Sequence, residues 1–264
     1  MNGGRDDEPL SGSERLTGSE PLTGGRGDAD WQSKAAMIVP LVIFFLLGAV
    51  IDTRPLEDGV EINPLAYMGL VGARVLLMTL AIVWFWPRIR SQFPVSVDQS
   101  GIWVGVIGAV IWIGACGLQL ERGLLTMLGI STDWLPAREG VNPFAVYSPG
   151  TELACFLVMR FALLVISVPI AEELFLRGFV MRAVESEDWP SLPLSRITAT
   201  GLVAGTLYGM VSHPGELVAA GLWFSLVSWL MVRTGKFWNC VLAHAVTNFI
   251  LGVYVCWYGQ WYLW

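Results

Sequence analysis

Seven long apolar runs limit what this chain can fold into more than any other feature of its sequence. A helix needs about 20 apolar residues to cross the ~30 Å hydrocarbon core of a membrane, and most of the runs approach that length. Because backbone amide groups in lipid must find partners within their own segment, helices are expected throughout. The sequence therefore predicts an all-α, polytopic membrane helix bundle with about seven or eight spans. The runs are 35–51, 65–86, 102–120, 151–171, 196–212, 217–232 and 237–258, and the brief stretch 121–131 is the candidate for an eighth or re-entrant piece.

The charge content and the cysteines exclude several other classes of protein. Only 14% of the 264 residues are charged, whereas a soluble domain carries about 25%. The formal net charge is −6 and no basic patch is present, which excludes nucleic acid as a partner and leaves membrane lipids as the expected surroundings. The four cysteines all lie in apolar runs without Cys-x-x-Cys spacing, so neither a disulfide framework nor a cysteine zinc site is expected.

Two regions of the chain differ in composition. Residues 1–33 are polar and contain short near-repeats, which predicts a disordered tail. Residues 34–264 are expected to form one membrane-embedded helical domain. With these spans, nine Lys or Arg residues fall on the side of the membrane that holds the N-terminus, and three fall on the opposite side. Because Lys and Arg are enriched in cytoplasmic loops, this bias predicts a cytoplasmic N-terminus. The nine are Arg26, Lys34, Arg88, Arg90, Arg177, Arg182, Arg196, Arg233 and Lys236, and the three are Arg54, Arg122 and Arg138.

Two adjacent acids follow the fourth run directly. Glu172 and Glu173 end an apolar stretch, where an ionised side chain costs several kcal/mol unless it reaches water or a polar cavity. Glu173 and Arg177 are spaced i, i+4 with the acid first, which is the favourable order for an ion pair on a helix. Glu172 then points about 100° away from that pair and is left for chemistry. A charged helix end at the membrane surface and a catalytic carboxylate both remain open at this point.

Two arginines also fall inside predicted spans. Arg74 lies in the second run and Arg160 in the fourth, so each is expected to need a partner or a water-accessible cavity. For Arg160, a carboxylate elsewhere in the bundle is the expected partner, and the pair would be structural support.

The chain has two histidines, and both stand in apolar sequence. His213 closes the fifth run, and His244 lies inside the seventh, where it shares a helix face with Asn248 at i, i+4. Each histidine alone is more often a hydrogen-bonded core residue than a catalyst. Because Glu172 and these three residues come from three spans, the sequence predicts that they converge on one polar cavity. Glu172 and His213 can meet only if the fourth helix continues beyond its apolar run to about residue 185.

Three motifs, in this order, resemble those of the CAAX prenyl endopeptidase family, which is also called the Abi or CPBP family of intramembrane proteases. The resemblance covers about residues 150–258. The motifs are Glu172-Glu173-x-x-x-Arg177, then His213 at the end of a later span, and then His244-x-x-x-Asn248.

One position departs from the family's pattern. The second motif of the family is usually Phe-x-x-x-His. Here Gly209 stands four residues before His213, and the nearest aromatic residue, Tyr208, is displaced by one position. The ending 259–264 is similar to a bacterial subgroup called CAAX prenyl protease-related, which implies the inner membrane of a bacterial cell.

The resemblance implies an endopeptidase that cleaves a peptide bond near the C-terminus of a membrane-associated, CAAX-type substrate, with or without a prenyl group. Glu172 would take a proton from water as general base, and Arg177 would hold Glu173. Three polar side chains would donate hydrogen bonds to the oxyanion of the intermediate. They are His213, His244 and Asn248.

Metal dependence is left open by the resemblance. No His-Glu-x-x-His motif is present, which excludes a zincin. If a divalent metal such as zinc takes part, Glu172, His213 and His244 would hold it and would leave one position for water.

Three other classes of protein are alternatives. A serine protease lacks support because no Gly-x-Ser-x-Gly motif exists and Ser212 would point away from His213 on a helix. A rhomboid-like dyad through Ser225 or Ser228 would leave Glu172 unexplained. A non-catalytic membrane scaffold or immunity-type protein would explain the displaced aromatic residue. A proton-coupled transporter would use the acid and the histidines as a relay, but no inverted repeat of broken helices is visible.

Overall fold

The protein is a bundle of α-helices. The computed structural model describes residues 24–50, 63–136 and 140–263, and these ranges contain nine α-helices, three short 3-10 helices and no strand. The predicted all-α fold is confirmed. The helices are α1 (Gly24–Val50), α2 (Pro64–Gln92), α3 (Gln99–Gly117), α4 (Leu120–Met127), α5 (Pro143–Val146), α6 (Thr151–Ala183), α7 (Ala199–Ser212), α8 (Leu217–Thr234) and α9 (Phe237–Tyr258).

Six of the described helices are long and apolar enough to cross a membrane, namely α1, α2, α3, α6, α8 and α9. The fifth predicted run forms α7, which has only 14 residues and is therefore about 21 Å long. The stretch proposed as an eighth piece forms α4, whose eight residues span about 12 Å and cannot cross a membrane. The described residues thus contain six helices able to cross a membrane and one shorter apolar helix, which is consistent with the predicted membrane bundle of about seven or eight spans.

Several predicted boundaries move in the structure. Helix α1 begins at Gly24, so residues 24–33 of the predicted tail are helical, and residues 1–23 lie outside the described part. The short helix α5 lies between α4 and α6, outside every predicted apolar run. Arg177 and Arg182, two of the nine cations assigned to loops, are buried within α6. Without them the charge bias is seven against three, and the cytoplasmic N-terminus stays a prediction.

Helix α6 is longer than its apolar run, as the meeting of Glu172 with His213 required. It extends from Thr151 to Ala183, a length of 33 residues. Two π-helical segments interrupt it, at Leu163–Ser167 and Leu174–Val180. A π turn inserts a residue into the helix, changes the direction of the following side chains and often marks a functional site. The two segments lie on either side of the acidic pair.

Glycines on α3 let α9 approach closely. A Cβ atom on Gly105 would lie 2.7 Å from the carbonyl oxygen of Ala243, so only glycine permits this contact. The Thr247 hydroxyl donates a hydrogen bond of 2.9 Å to the Gly105 carbonyl oxygen. Small residues and hydroxyl bonds of this kind hold helices together where lipid removes the hydrophobic driving force. The contact fixes the rotation of α9, which carries both His244 and Asn248.

A polar cluster ties the start of α3 to the start of α9. Asp98 precedes α3 and accepts a 2.8 Å hydrogen bond from Nζ of Lys236. The backbone N–H of Asp98 donates to Oδ1 of Asn239 at 2.9 Å. The ammonium group of Lys236, helped by Ser100 and Asn239, holds the pKa of Asp98 well below its usual value. These bonds set the relative height of α3 and α9.

Candidate active site

One cavity of about 340 Å³ brings together the four side chains predicted to share a polar site. They come from α6, α9 and the end of α7. Aromatic and aliphatic residues from α1, α3, α8 and the segment after α9 complete the walls. The four polar side chains are Glu172, His213, His244 and Asn248.

A chain of charged and polar groups lies against this cavity. Nη1 of Arg177 donates to both carboxylate oxygens of Glu173 at 2.7 Å. The other side of the Glu173 carboxylate accepts from Nδ1 of His244 at 3.0 Å. Nε2 of the same ring lies 3.8 Å from a carboxylate oxygen of Glu172. The order is therefore Arg177, Glu173, His244 and Glu172, and of the two acids only Glu172 was expected to be available for chemistry.

The charged groups at the centre of this chain are buried, so each of them needs a partner. Arg177 and Glu173 are both 0% exposed, and an unpaired ion at such a place would be strongly destabilising. The predicted i, i+4 ion pair is present in the structure. The contact between Glu173 and His244 was not predicted, because it depends on how α9 packs against α6. Glu173 thus connects the cation that neutralises it to the imidazole that faces the cavity.

A second set of residues supports His244. The Trp223 ring meets the His244 ring edge-on, with centroids 4.7 Å apart. The indole N–H of Trp223 donates to the Thr247 hydroxyl at 3.0 Å. Both residues line the cavity, and sequence reasoning missed both. Thr247 follows His244 by three positions and lies on the same helix face, so its place beside the site could have been predicted from the spacing. Nothing in the sequence distinguishes Trp223 from the other tryptophans.

Asn248 is oriented by the first π-helical segment of α6. Its side-chain N–H donates to the carbonyl oxygen of Leu164 at 2.8 Å. Leu164 lies within Leu163–Ser167, where the π turn interrupts the regular i, i+4 ladder and allows a carbonyl to accept from outside. The carboxamide has two N–H donors, and this bond uses one of them. The other N–H can serve a ligand in the cavity.

His213 lies just beyond the end of α7, with backbone angles φ −129° and ψ 64°. Its Nδ1 is 3.1 Å from the Gly209 carbonyl oxygen and 3.0 Å from the Ser212 hydroxyl. A carbonyl oxygen can only accept, so the contact with Gly209 is a hydrogen bond in the tautomer that carries its proton on Nδ1. The expectation that Ser212 points away from His213 is wrong, because the helix has ended. Since the Ser212 hydroxyl also donates to Gly209, it is not set up as a nucleophile.

The serines proposed for a rhomboid-like dyad are occupied elsewhere. The Ser225 hydroxyl donates to the Gly221 carbonyl oxygen at 2.6 Å. The Ser228 hydroxyl faces the sulfur of Met181 at 3.9 Å. Neither of these bonds involves a histidine, so this geometry does not favour a serine mechanism.

The aromatic ring displaced from position 209 is replaced from a neighbouring helix. A Cβ atom on Gly209 would lie only 2.2 Å from Cδ2 of Phe224, so the Phe224 ring occupies the space next to that glycine. The ring centroid of Phe224 is 5.7 Å from that of His213. The Phe224 carbonyl oxygen also accepts from Nη2 of Arg177 at 3.3 Å. Phe224 therefore packs against His213 and contacts the charge chain at the same time.

Exchanging the two residues should show that they share one space. We expect Gly209→Phe to lower the thermal stability sharply, because two rings cannot overlap. Phe224→Ala should also destabilise, by about 3–5 kcal/mol, since it leaves a cavity. The double variant Gly209→Phe with Phe224→Ala should recover most of the loss. Unfolding in detergent measures all three, and losses that merely add in the double variant would show that the rings do not share the space.

The residues present do not form a metal site of the predicted kind. In the described ranges, no three His, Cys, Asp or Glu side chains are arranged to hold one metal ion. The three residues suggested as metal ligands, Glu172, His213 and His244, are therefore not grouped as ligands of one ion within those ranges.

Comparison with protein families bears directly on this site. Residues 154–250 match the family model described as Rce1-like, type II CAAX prenyl endopeptidase. The matched segment contains all the residues singled out by the three motifs, and over this segment the match supports the family predicted from those motifs. No curated protein and no solved structure matches the chain.

Proposed function

Because residues 154–250 carry the Rce1-like domain of the type II CAAX prenyl endopeptidases, we propose that the cavity is the active site of an intramembrane endopeptidase. The substrate would be a membrane-associated protein or peptide of the CAAX type, cut near its C-terminus. One observation carries this proposal. The Glu172 carboxylate lies 3.8 Å from an imidazole that is itself held by the buried Arg177–Glu173 pair.

Glu172 acts as the general base in this proposal. Hydrolysis of an amide needs a water molecule that loses a proton as it attacks the carbonyl carbon, and a carboxylate inside a cavity can accept that proton. Glu173 is unsuited to the role because Arg177 and His244 occupy its oxygens. Of the adjacent acids, only Glu172 lines the cavity. The proton then passes from Glu172 to the amine that leaves.

His213 helps to hold the attacking water. Its Nδ1–H is directed at the Gly209 carbonyl oxygen, so Nε2 of the neutral ring is an acceptor. Nε2 would accept one hydrogen of the water while Glu172 accepts the other, which directs a lone pair at the substrate carbonyl. This role differs from the oxyanion donor expected from the sequence, because a neutral ring with the proton on Nδ1 has no N–H at Nε2.

The oxyanion would be stabilised by His244 and Asn248. The second N–H of the Asn248 carboxamide is one donor, and Nε2–H of a protonated His244 is the other. A protonated His244 balances the second carboxylate, so that Arg177, Glu173, His244 and Glu172 together carry no net charge. Neutral clusters are favoured where burial penalises each isolated charge. Because the donors are prearranged, little reorganisation is needed when negative charge develops on the substrate oxygen.

A proteolysis assay in liposomes tests the proposal. The purified protein is reconstituted and mixed with membrane-anchored peptides of the CAAX type, prenylated and unprenylated, and the products are identified by mass spectrometry. We expect one cut near the C-terminus and no product with Glu172→Ala. A product of equal yield from Glu172→Ala would point to a contaminating protease. If no peptide of either kind is cut, the proposal is wrong and a non-catalytic membrane role is favoured.

A further inference from the structure

The motif that departs from the family's pattern places a tyrosine beside the charge chain. Tyr208 stands one position before the site where the family usually has its phenylalanine. Its ring centroid is 5.6 Å from that of Phe175 on α6 and 6.0 Å from that of Phe224 on α8. Phe175 follows Glu172 by three positions, and the Phe224 carbonyl oxygen accepts from Arg177. The Tyr208 ring is therefore held between two residues that adjoin the acidic pair and its cation.

Close packing fixes α7 against both neighbouring helices. A Cβ atom on Gly205 would lie 2.8 Å from Sδ of Met181 in α6, and one on Gly209 would lie 2.2 Å from Cδ2 of Phe224 in α8. Glycine at these two positions lets α7 approach both helices. Tyr208 lies on the turn between the two contacts, so its backbone is held close to the helix that carries the acidic pair.

The Tyr208 hydroxyl is a buried donor that lacks a regular acceptor. Its oxygen is inaccessible to solvent, and no group within the described ranges forms a regular hydrogen bond with it. Of the charged groups that act on this hydroxyl, Glu172 acts most strongly and is the acceptor in hydrogen-bonding position, ahead of Glu173 and Arg177. Because buried hydroxyls nearly always have a partner, a small rotation of the Glu172 side chain is expected to complete the bond.

From this arrangement we propose that the Tyr208 hydroxyl donates a hydrogen bond to the Glu172 carboxylate and fixes the direction in which this base faces the cavity. The inference rests on the proposed endopeptidase function and adds a positioning residue to it. Tyr208 does not line the cavity, so it acts through Glu172 and does not touch the substrate. A carboxylate offers about four lone-pair sites. The bond to the phenol uses one of them, and the contact with His244 still leaves room for water.

Other titratable or charged groups surround the same carboxylate. On the side of α9, Nε2 of His244 is 3.8 Å away. The others belong to the charge chain or line the cavity, namely Glu173, Arg177, Arg160, His213, Glu216 and Tyr262. All of them are kept in a Tyr208 variant, so a difference in pH dependence from the wild type reports the phenol.

Tyr208→Phe tests the inference, because it removes the hydroxyl and keeps the ring between its neighbours. With a membrane-anchored CAAX-type peptide in liposomes, we expect kcat to fall about 10-fold because the base loses its fixed orientation. KM should change less than about two-fold, since no substrate contact is lost. The phenol favours the ionised carboxylate, so without it Glu172 binds a proton more readily. The acid limb of the kcat/KM profile should then move to higher pH by about one to two units, the range for one hydrogen bond to a charged group.

Infrared spectra give a second readout that needs no substrate. The band of the protonated Glu172 carboxyl, recognised by its absence from Glu172→Gln, should titrate with the same shift in Tyr208→Phe. The matched control is Tyr254→Phe on α9, which removes a hydroxyl outside the cavity lining, where the ring packs on Tyr258 at 4.9 Å. This control should leave kcat, KM and the pH profile unchanged. Melting temperatures in detergent should stay close to that of the wild type for both phenylalanine variants.

Two results would overturn the inference while the protease function stands. One is an acid limb and an infrared titration that do not move in Tyr208→Phe. The other is a loss confined to KM and the melting temperature, which would indicate a structural role for the hydroxyl. If the wild-type protein cuts no peptide, the proposed function fails. The infrared titration then decides the contact alone, and an unchanged titration shows that Tyr208 does not bond Glu172.

Discussion

Glu172→Gln is expected to slow peptide cleavage by roughly 10²–10⁴-fold, the contribution typical of a general base. Glutamine has the shape of glutamate, so the contact with His244 and the packing of α6 should survive. What is lost is the ability to take a proton from water. Initial rates in liposomes measure the loss, and the melting temperature in detergent shows whether the fold is kept.

Two matched variants make this result specific. Glu152→Gln removes a carboxylate from the same helix outside the cavity, where it accepts from the Ser148 N–H, and should leave the rate unchanged. Asn248→Ala removes an oxyanion donor but keeps the base, and should cost roughly 10²–10³-fold. A rate for Glu172→Gln within a few-fold of the wild type would show that another group activates the water.

Arg177→Met is expected to destabilise the protein by about 3–5 kcal/mol, because it leaves the Glu173 carboxylate buried without its cation. The same change should abolish cleavage, since Glu173 no longer holds His244 in place. Chemical or thermal unfolding in detergent measures the stability, and the yield of folded protein should fall with it.

A double variant separates the two roles of this ion pair. Adding Glu173→Leu to Arg177→Met removes both charges at once, and a buried pair replaced by apolar residues of similar size is often neutral for stability. We expect stability to recover while cleavage stays absent, because His244 has lost its acceptor. An Arg177→Met protein as stable as the wild type would instead show that Glu173 finds another partner.

Interactions within one helix could be predicted from the sequence, whereas those between helices could not. The Glu173–Arg177 pair and the shared face of His244 and Asn248 follow from i, i+4 spacing alone. The hydrogen bond from His244 to Glu173 depends on the rotation of α9, which is set by its contact with Gly105 on α3. Hydropathy gives each span separately and contains no information on that contact.

The π-helical segments are the second part that the sequence did not reveal. Leu164 reads as an ordinary apolar residue, yet its carbonyl oxygen orients Asn248 because the π turn allows it to accept from outside the helix. Likewise, the sequence shows that position 209 is Gly209 where the family usually has an aromatic residue. That the ring of Phe224 on α8 fills the space next to this glycine is visible only in three dimensions. In both cases the decisive property is backbone geometry or position in space, which no motif encodes.

Because α7 is short, the thickness of the surrounding bilayer is expected to influence how water reaches the site. A helix of about 21 Å in hydrocarbon about 30 Å thick leaves a hydrophobic mismatch, which lipids relieve by thinning next to the protein. Thinning beside α7 is expected to bring polar headgroups and their hydration water closer to His213, which follows the last residue of this helix. Acyl-chain length is then expected to control how readily water reaches the peptide bond, so that the same protein would work at different rates in membranes of different thickness.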